Sequence, residues 1–108
     1  MGVTYTYVFV RQDLPPVTQI VQASHAAFEM GRDLTRPEKS SVDNLIVIHV
    51  KDQSELMEVG LFLSRKSVAH YTFYEPDGQP VPLGYTSICT EPVGLDKKNV
   101  FRKFQLAG

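Results

Sequence analysis

Tryptophan is absent from this 108-residue chain, cysteine occurs once, and neither sign of charge is in excess. The single cysteine, Cys89, excludes an internal disulfide and any cysteine-rich zinc site. It lies in an apolar segment and reads as a buried, inert thiol. Eleven basic against twelve acidic residues leave a formal net charge of −1. That balance lacks the basic footprint of a strong nucleic-acid binder, although Lys97, Lys98, Arg102 and Lys103 form a local basic cluster. No apolar run approaches the roughly 18 residues that span a bilayer. Met1 to Thr4 lacks the basic start of a signal peptide. The expectation is a cytoplasmic protein with no membrane association. Repeats and low-complexity tracts are also missing, so residues 1–108 are read as one domain of common size. What is present is a 43% hydrophobic fraction, enough for a core without covalent staples.

Thr4 to Val10 is rich in β-branched and aromatic residues and predicts a strand, which Pro15 and Pro16 terminate. A helix is predicted from about Pro16 to Asp33, with proline at the position where its missing N–H costs nothing. Val17, Ile20, Val21, Ser24, Ala27, Phe28 and Gly31 follow helical spacing and are expected to be its buried stripe. Leu34 to Asn44 is polar and reads as a surface loop or broken turn. Leu45 to Val50 is nearly continuous apolar, the mark of a strand covered on both faces. Asp52 and Glu55 stand at capping-box spacing and open a helix to about Lys66 that buries Leu56, Val59, Phe62 and Leu63. Ser67 to Tyr74 and Gly84 to Thr90 are strands joined through Glu75-Pro76-Asp77-Gly78. A short amphipathic tail runs from Leu95 to Leu106. The fold class is therefore α/β, a mixed four-stranded sheet with helices packed on it, in the order β-α-β-α-β-β plus a short C-terminal element.

Ligands in open α/β sheets lie beyond the carboxyl ends of the strands, facing helix N-termini. Here that corner gathers Arg11, Asp13, Thr18, Gln22 and His25, with Arg11 available for a bidentate phosphate contact. His25, among Ala23, Ala26 and Ala27, has two readings. It is either tied to a backbone carbonyl and orients the helix, or a polar group at a cleft edge that binds substrate or orients water. His49 and His70 are too scattered to make a metal site with it. Asp13, Glu75 and Asp77 are the carboxylates that strand ends carry toward a cleft. Thr86, Ser87 and Thr90 place hydroxyls on the last strand, where simple alternation lets only one set face a given pocket.

Val10-Arg11-Gln12-Asp13-Leu14, followed by Gln22-Ala23-Ser24-His25-Ala26-Ala27, resembles the type-2 peptidyl-tRNA hydrolase superfamily. In that family a strand ends in Arg-x-Asp-Leu and the next helix carries Gln-x-Ser-His-Ala-Ala. Lys66 to His70 and Val100 to Leu106 are similar to the divergent peptidyl-tRNA hydrolase domain-containing branch. The resemblance implies hydrolysis of the ester joining a peptide to tRNA, with no metal or organic cofactor. It implies Asp13, His25, Asp77 and Thr86 as the catalytic set. Arg11, Thr18, Gln22, Lys97 and Lys98 would bind the tRNA acceptor end or a nucleotide. Thr18 or Gln19 stands where the family has a lysine, and the Glu75 to Pro82 hairpin departs from its Asp-Ala-Gly-x-Thr segment. A non-hydrolytic module binding a nucleotide, RNA end or protein is the alternative. A third reading is an interaction protein, a homodimer among its forms, built on an exposed sheet edge.

Overall fold

The computed structural model describes residues 2–33 and 41–104. Its first strand, β1 (Gly2–Arg11), is the centre of the molecule. Tyr7, Val8, Phe9 and Val10 are each no more than 3% exposed, because both faces of β1 carry bulky apolar side chains that helices cover. On one side β1 pairs in parallel with β2 (Ser41–Val50), and on the other it pairs antiparallel with β4 (Gly84–Thr90). β3 (His70–Glu75) pairs antiparallel with β4, which gives a four-stranded sheet in the order β2-β1-β4-β3. The fold is thus the mixed α/β sheet that the sequence predicts, in the same element order.

Helix α1 (Pro16–Asp33) has the predicted ends but not the predicted orientation. Gln22, Ala26 and Met30 are buried, whereas Val17, Ile20 and Phe28 are 73%, 67% and 61% exposed. Two forces turn the helix. Ala26 is small enough to bring the backbone down onto Val8 and Cys89, and Gln22 is held inward by hydrogen bonds to β3 and β4. The helix also lies over β4, β3 and β1, so its apolar stripe has no sheet beneath it.

β2 differs from expectation for the same reason. It begins at Ser41, so residues 41–44 are strand rather than loop, and residues 34–40 lie outside the described residues. As an edge strand it is covered on one face only. Ile48 and Val50 are buried, while Leu45 is 62% exposed.

The opposite face is closed by α2 (Gln53–Arg65), which buries Leu56, Val59 and Leu63. Its N-cap is Asp52, whose side chain accepts from the Glu55 N–H, while Glu55 Oε1 accepts from the Lys51 N–H at 2.6 Å. Just past the helix end Ser67 takes φ of 58°, with the Val68 N–H reaching back to the Leu63 carbonyl. That left-handed turn is why β3 starts at His70 and not at Ser67. After β4, the short α3 (Leu95–Lys98) and a 3₁₀ turn (Asn99–Phe101) swing Phe101 under β1. Its ring stacks on Tyr7 at 3.8 Å, and Phe104 meets Phe9 edge-on at 4.9 Å. Burying one such ring contributes about 2–3 kcal/mol. The part of the expected tail beyond Phe104 lies outside the described residues.

Candidate functional site

The carboxyl ends of β1, β2 and β3, the start of β4 and the N-termini of α1 and α2 all meet at one end of the sheet. This is where the connections from β1 diverge, the usual place for a site in such folds.

Arg11, the last residue of β1, is engaged there by four hydrogen bonds. Its Nε and Nη2 donate to Asp13 Oδ1 and Oδ2, each at 2.9 Å. Its Nη1 donates to the carbonyls of Leu83 at 2.7 Å and Tyr85 at 3.2 Å. These contacts use all but one of the guanidinium N–H groups. Arg11 therefore clamps the start of β4 to the end of β1, which corrects the expectation of a free phosphate-binding arginine. Asp13 is its counter-ion. The hydrogen bond from Arg11, and secondarily its charge, outweigh partial burial and hold the Asp13 carboxyl below the ordinary range.

The centre of the corner is Gln22. Its Nε2 donates to Glu75 Oε1 at 2.9 Å, and its Oε1 accepts from the Thr86 hydroxyl at 2.6 Å. Its backbone carbonyl accepts from the Ser87 hydroxyl at 2.7 Å. Consecutive strand residues cannot face the same way in a regular ladder. They do here because the β3–β4 register shifts: Phe73 pairs with Ser87 but Tyr74 pairs with Tyr85, leaving Thr86 as a bulge. The expectation that only one hydroxyl set could face a pocket is overturned by that bulge. Thr86 is fully buried, so it acts through Gln22 and positions it instead of touching a ligand.

Glu75 closes the relay at the end of β3. Its Oε2 accepts from the Asp77 N–H at 3.2 Å. The Gln22 hydrogen bond is the largest influence on its carboxyl. The Asp77 N–H and the nearby His25 add to it against partial burial, so Glu75 stays ionised below the ordinary carboxylate range. Asp77 itself enters through its backbone N–H, with the residue exposed. The carboxylate that meets Gln22 is thus that of Glu75, which the sequence also marked as able to reach a cleft, and not that of Asp77. His25 is exposed, one turn from Gln22, and its ring stacks on Phe73 with centroids 4.6 Å apart and planes 6° from parallel. Thr18 lies a turn before Gln22 on α1 and is half-buried.

Lys97 and Lys98 are not part of this corner. Val93, just before them, bridges to Tyr5 near the other end of β1, about 20 Å along the strand from Arg11. Lys97 Nζ donates to the Ser67 carbonyl at 3.1 Å, and Lys98 sits 4.2 Å over the Tyr5 ring. They therefore stand apart from the corner where the other expected binding residues lie. One contributor carried no sequence signal: Gln53, at the start of α2, accepts the Tyr85 N–H at 2.7 Å. Gly84 beside it has φ of +84°, and a Cβ there would collide with the Gln53 amide.

Among the described residues no three His, Cys, Asp or Glu side chains converge as metal ligands, and no helix is long and apolar enough to cross a membrane. What the corner offers is an ionised carboxylate, an imidazole and an ordered amide at a strand terminus. No protein-family model matches the chain, and no curated protein matches it.

Proposed function

We propose that the protein is an ester hydrolase of the peptidyl-tRNA hydrolase type, acting at the Gln22–Glu75–His25 corner. The observation that carries this reading is the Thr86–Gln22–Glu75 relay. The first residue of the Gln-Ala-Ser-His-Ala-Ala motif fixes a carboxylate beside the motif's histidine. In the proposed reaction a water oxygen adds to the acyl carbon and the ester C–O bond breaks. The proton leaves with the ribose oxygen, giving free peptide and intact tRNA. Glu75, held below the ordinary carboxylate range, is a weak base and orients the water through a hydrogen bond. The His25 imidazole, exposed and aligned on Phe73, carries the proton. Gln22 and Thr86 position the carboxylate, and Arg11 with Asp13 shapes the rim.

The test is turnover of an N-acetylaminoacyl-tRNA by the folded chain. Released acylamino acid and intact tRNA are expected, with Glu75→Gln and His25→Ala each lowering kcat/KM by about 100-fold or more. No turnover at high enzyme concentration would remove the proposal. A second reading, a binding module for an RNA end or nucleotide, has its own support in the low basicity of Glu75 and in Thr18 or Gln19 standing where the family has a lysine. It is favoured if an acceptor-end oligonucleotide shifts the amide resonances of Gln22 and Glu75 without being hydrolysed.

A further inference from the structure

The outward face of α1 is apolar and exposed in the single chain. Val17, Ile20, Val21 and Phe28 are 73%, 67%, 46% and 61% exposed, and on β2 Leu45 and Val47 are 62% and 37% exposed. Together these side chains leave on the order of 500 Å² of apolar surface open, at the top of what a monomer normally carries as one patch. Between them runs a groove of about 440 Å³ with Val8 and Val10 as its floor. Ile20 and Ala27 form one wall, and Leu45 and Val47 form the other. Among the described residues no Asp, Glu, Lys or Arg lines it.

We propose that the protein is a two-fold dimer in which α1 of each copy lies in the other copy's groove, over β2. Two features select a second copy as the occupant. The first is self-complementarity. With the helices antiparallel, Ile20 of one copy meets the small residues Ala27 and Gly31 of the other. A Cβ at Gly31 would find nothing within 4 Å in the single chain. Val17, Ser24 and Phe28, on the crest of α1, then cover the other copy's Leu45 and Val47. The second is area. An isologous contact uses the patch from both copies. The apolar area, with the intervening Ala, Ser and Gly surface, approaches the roughly 800 Å² per partner of a stable interface. A lipid surface fits less well, since α1 has Arg32 as its only basic residue other than His25, where interfacial helices are flanked by several.

Light scattering after gel filtration, with the full chain at about 100 µM, reads the outcome. A mass of about twice the chain's 12.1 kDa is expected. Ile20→Glu and, separately, Leu45→Lys should each give the single-chain mass. Their circular dichroism should be unchanged, because both side chains are exposed in the protomer. The apparent Tm of the unmodified chain should rise with concentration, and that of the variants should not. A single-chain mass for the unmodified protein overturns the proposal, whether or not it binds phosphatidylcholine vesicles. So does a dimer that survives both substitutions. The Gln22 corner lies on the other flank of α1, so hydrolysis is unaffected by either variant, and failure of one proposal does not entail failure of the other.

Discussion

Gln22 satisfies partners on two strands with one amide and one carbonyl, and the cost of removing it follows from what is left behind. Gln22→Leu leaves the fully buried Thr86 hydroxyl without its acceptor, a loss of about 1–3 kcal/mol. Thr86→Val leaves the Gln22 oxygen unpaired at a similar cost. Because the two residues share one bond, the double variant is expected to cost less than the two singles together, by roughly 1 kcal/mol. Urea unfolding of the three variants measures that coupling, and strict additivity would show that the bond contributes little. The sequence placed Gln22 and Thr86 near the site. It could not place Glu75 ahead of Asp77, because the amide that holds Glu75, Gln22, is fifty-three residues away in the chain. The same holds for Arg11, whose partners at Leu83 and Tyr85 are more than seventy residues away.

At the scale of elements, every long one was legible, because each announces itself by periodicity, proline or capping chemistry. Which face of α1 turns inward was not. Periodicity finds the apolar stripe but assumes that it meets the core, and here an alanine contact and a glutamine network decide the rotation. The end of α2 carries a prediction of its own. Ser67 holds a left-handed φ of 58°, which costs a non-glycine residue about 1–2 kcal/mol. Ser67→Gly is expected to stabilise the protein by about 1 kcal/mol, after allowance for the greater freedom of glycine in the unfolded chain. The Val68 and Lys97 contacts with the backbone there need no serine side chain. A Tm that falls on substitution would contradict this account.

For the whole molecule, Asp13 and Glu75 make stability depend on acid in a defined direction. Both carboxyls titrate below their unfolded values, so the folded state binds these protons more weakly than the unfolded state. Their contribution is complete well above about pH 4, the ordinary range, and disappears as pH falls through the lowered folded values. Urea midpoints taken from about pH 7 down to about pH 2 should decline on the acid side. Glu75→Gln and Asp13→Asn should each flatten that decline, and an unchanged acid limb in both would show that the two pairs do not stabilise the fold.

The strand order has a consequence for how the chain is made. β4 is the last strand in sequence yet lies between β1 and β3. Until residues 84–90 leave the ribosome, β1 has a partner on one side only and β3 has none. The nascent chain thus keeps one edge of β1 open until β4 arrives, and β3 enters the sheet only together with it.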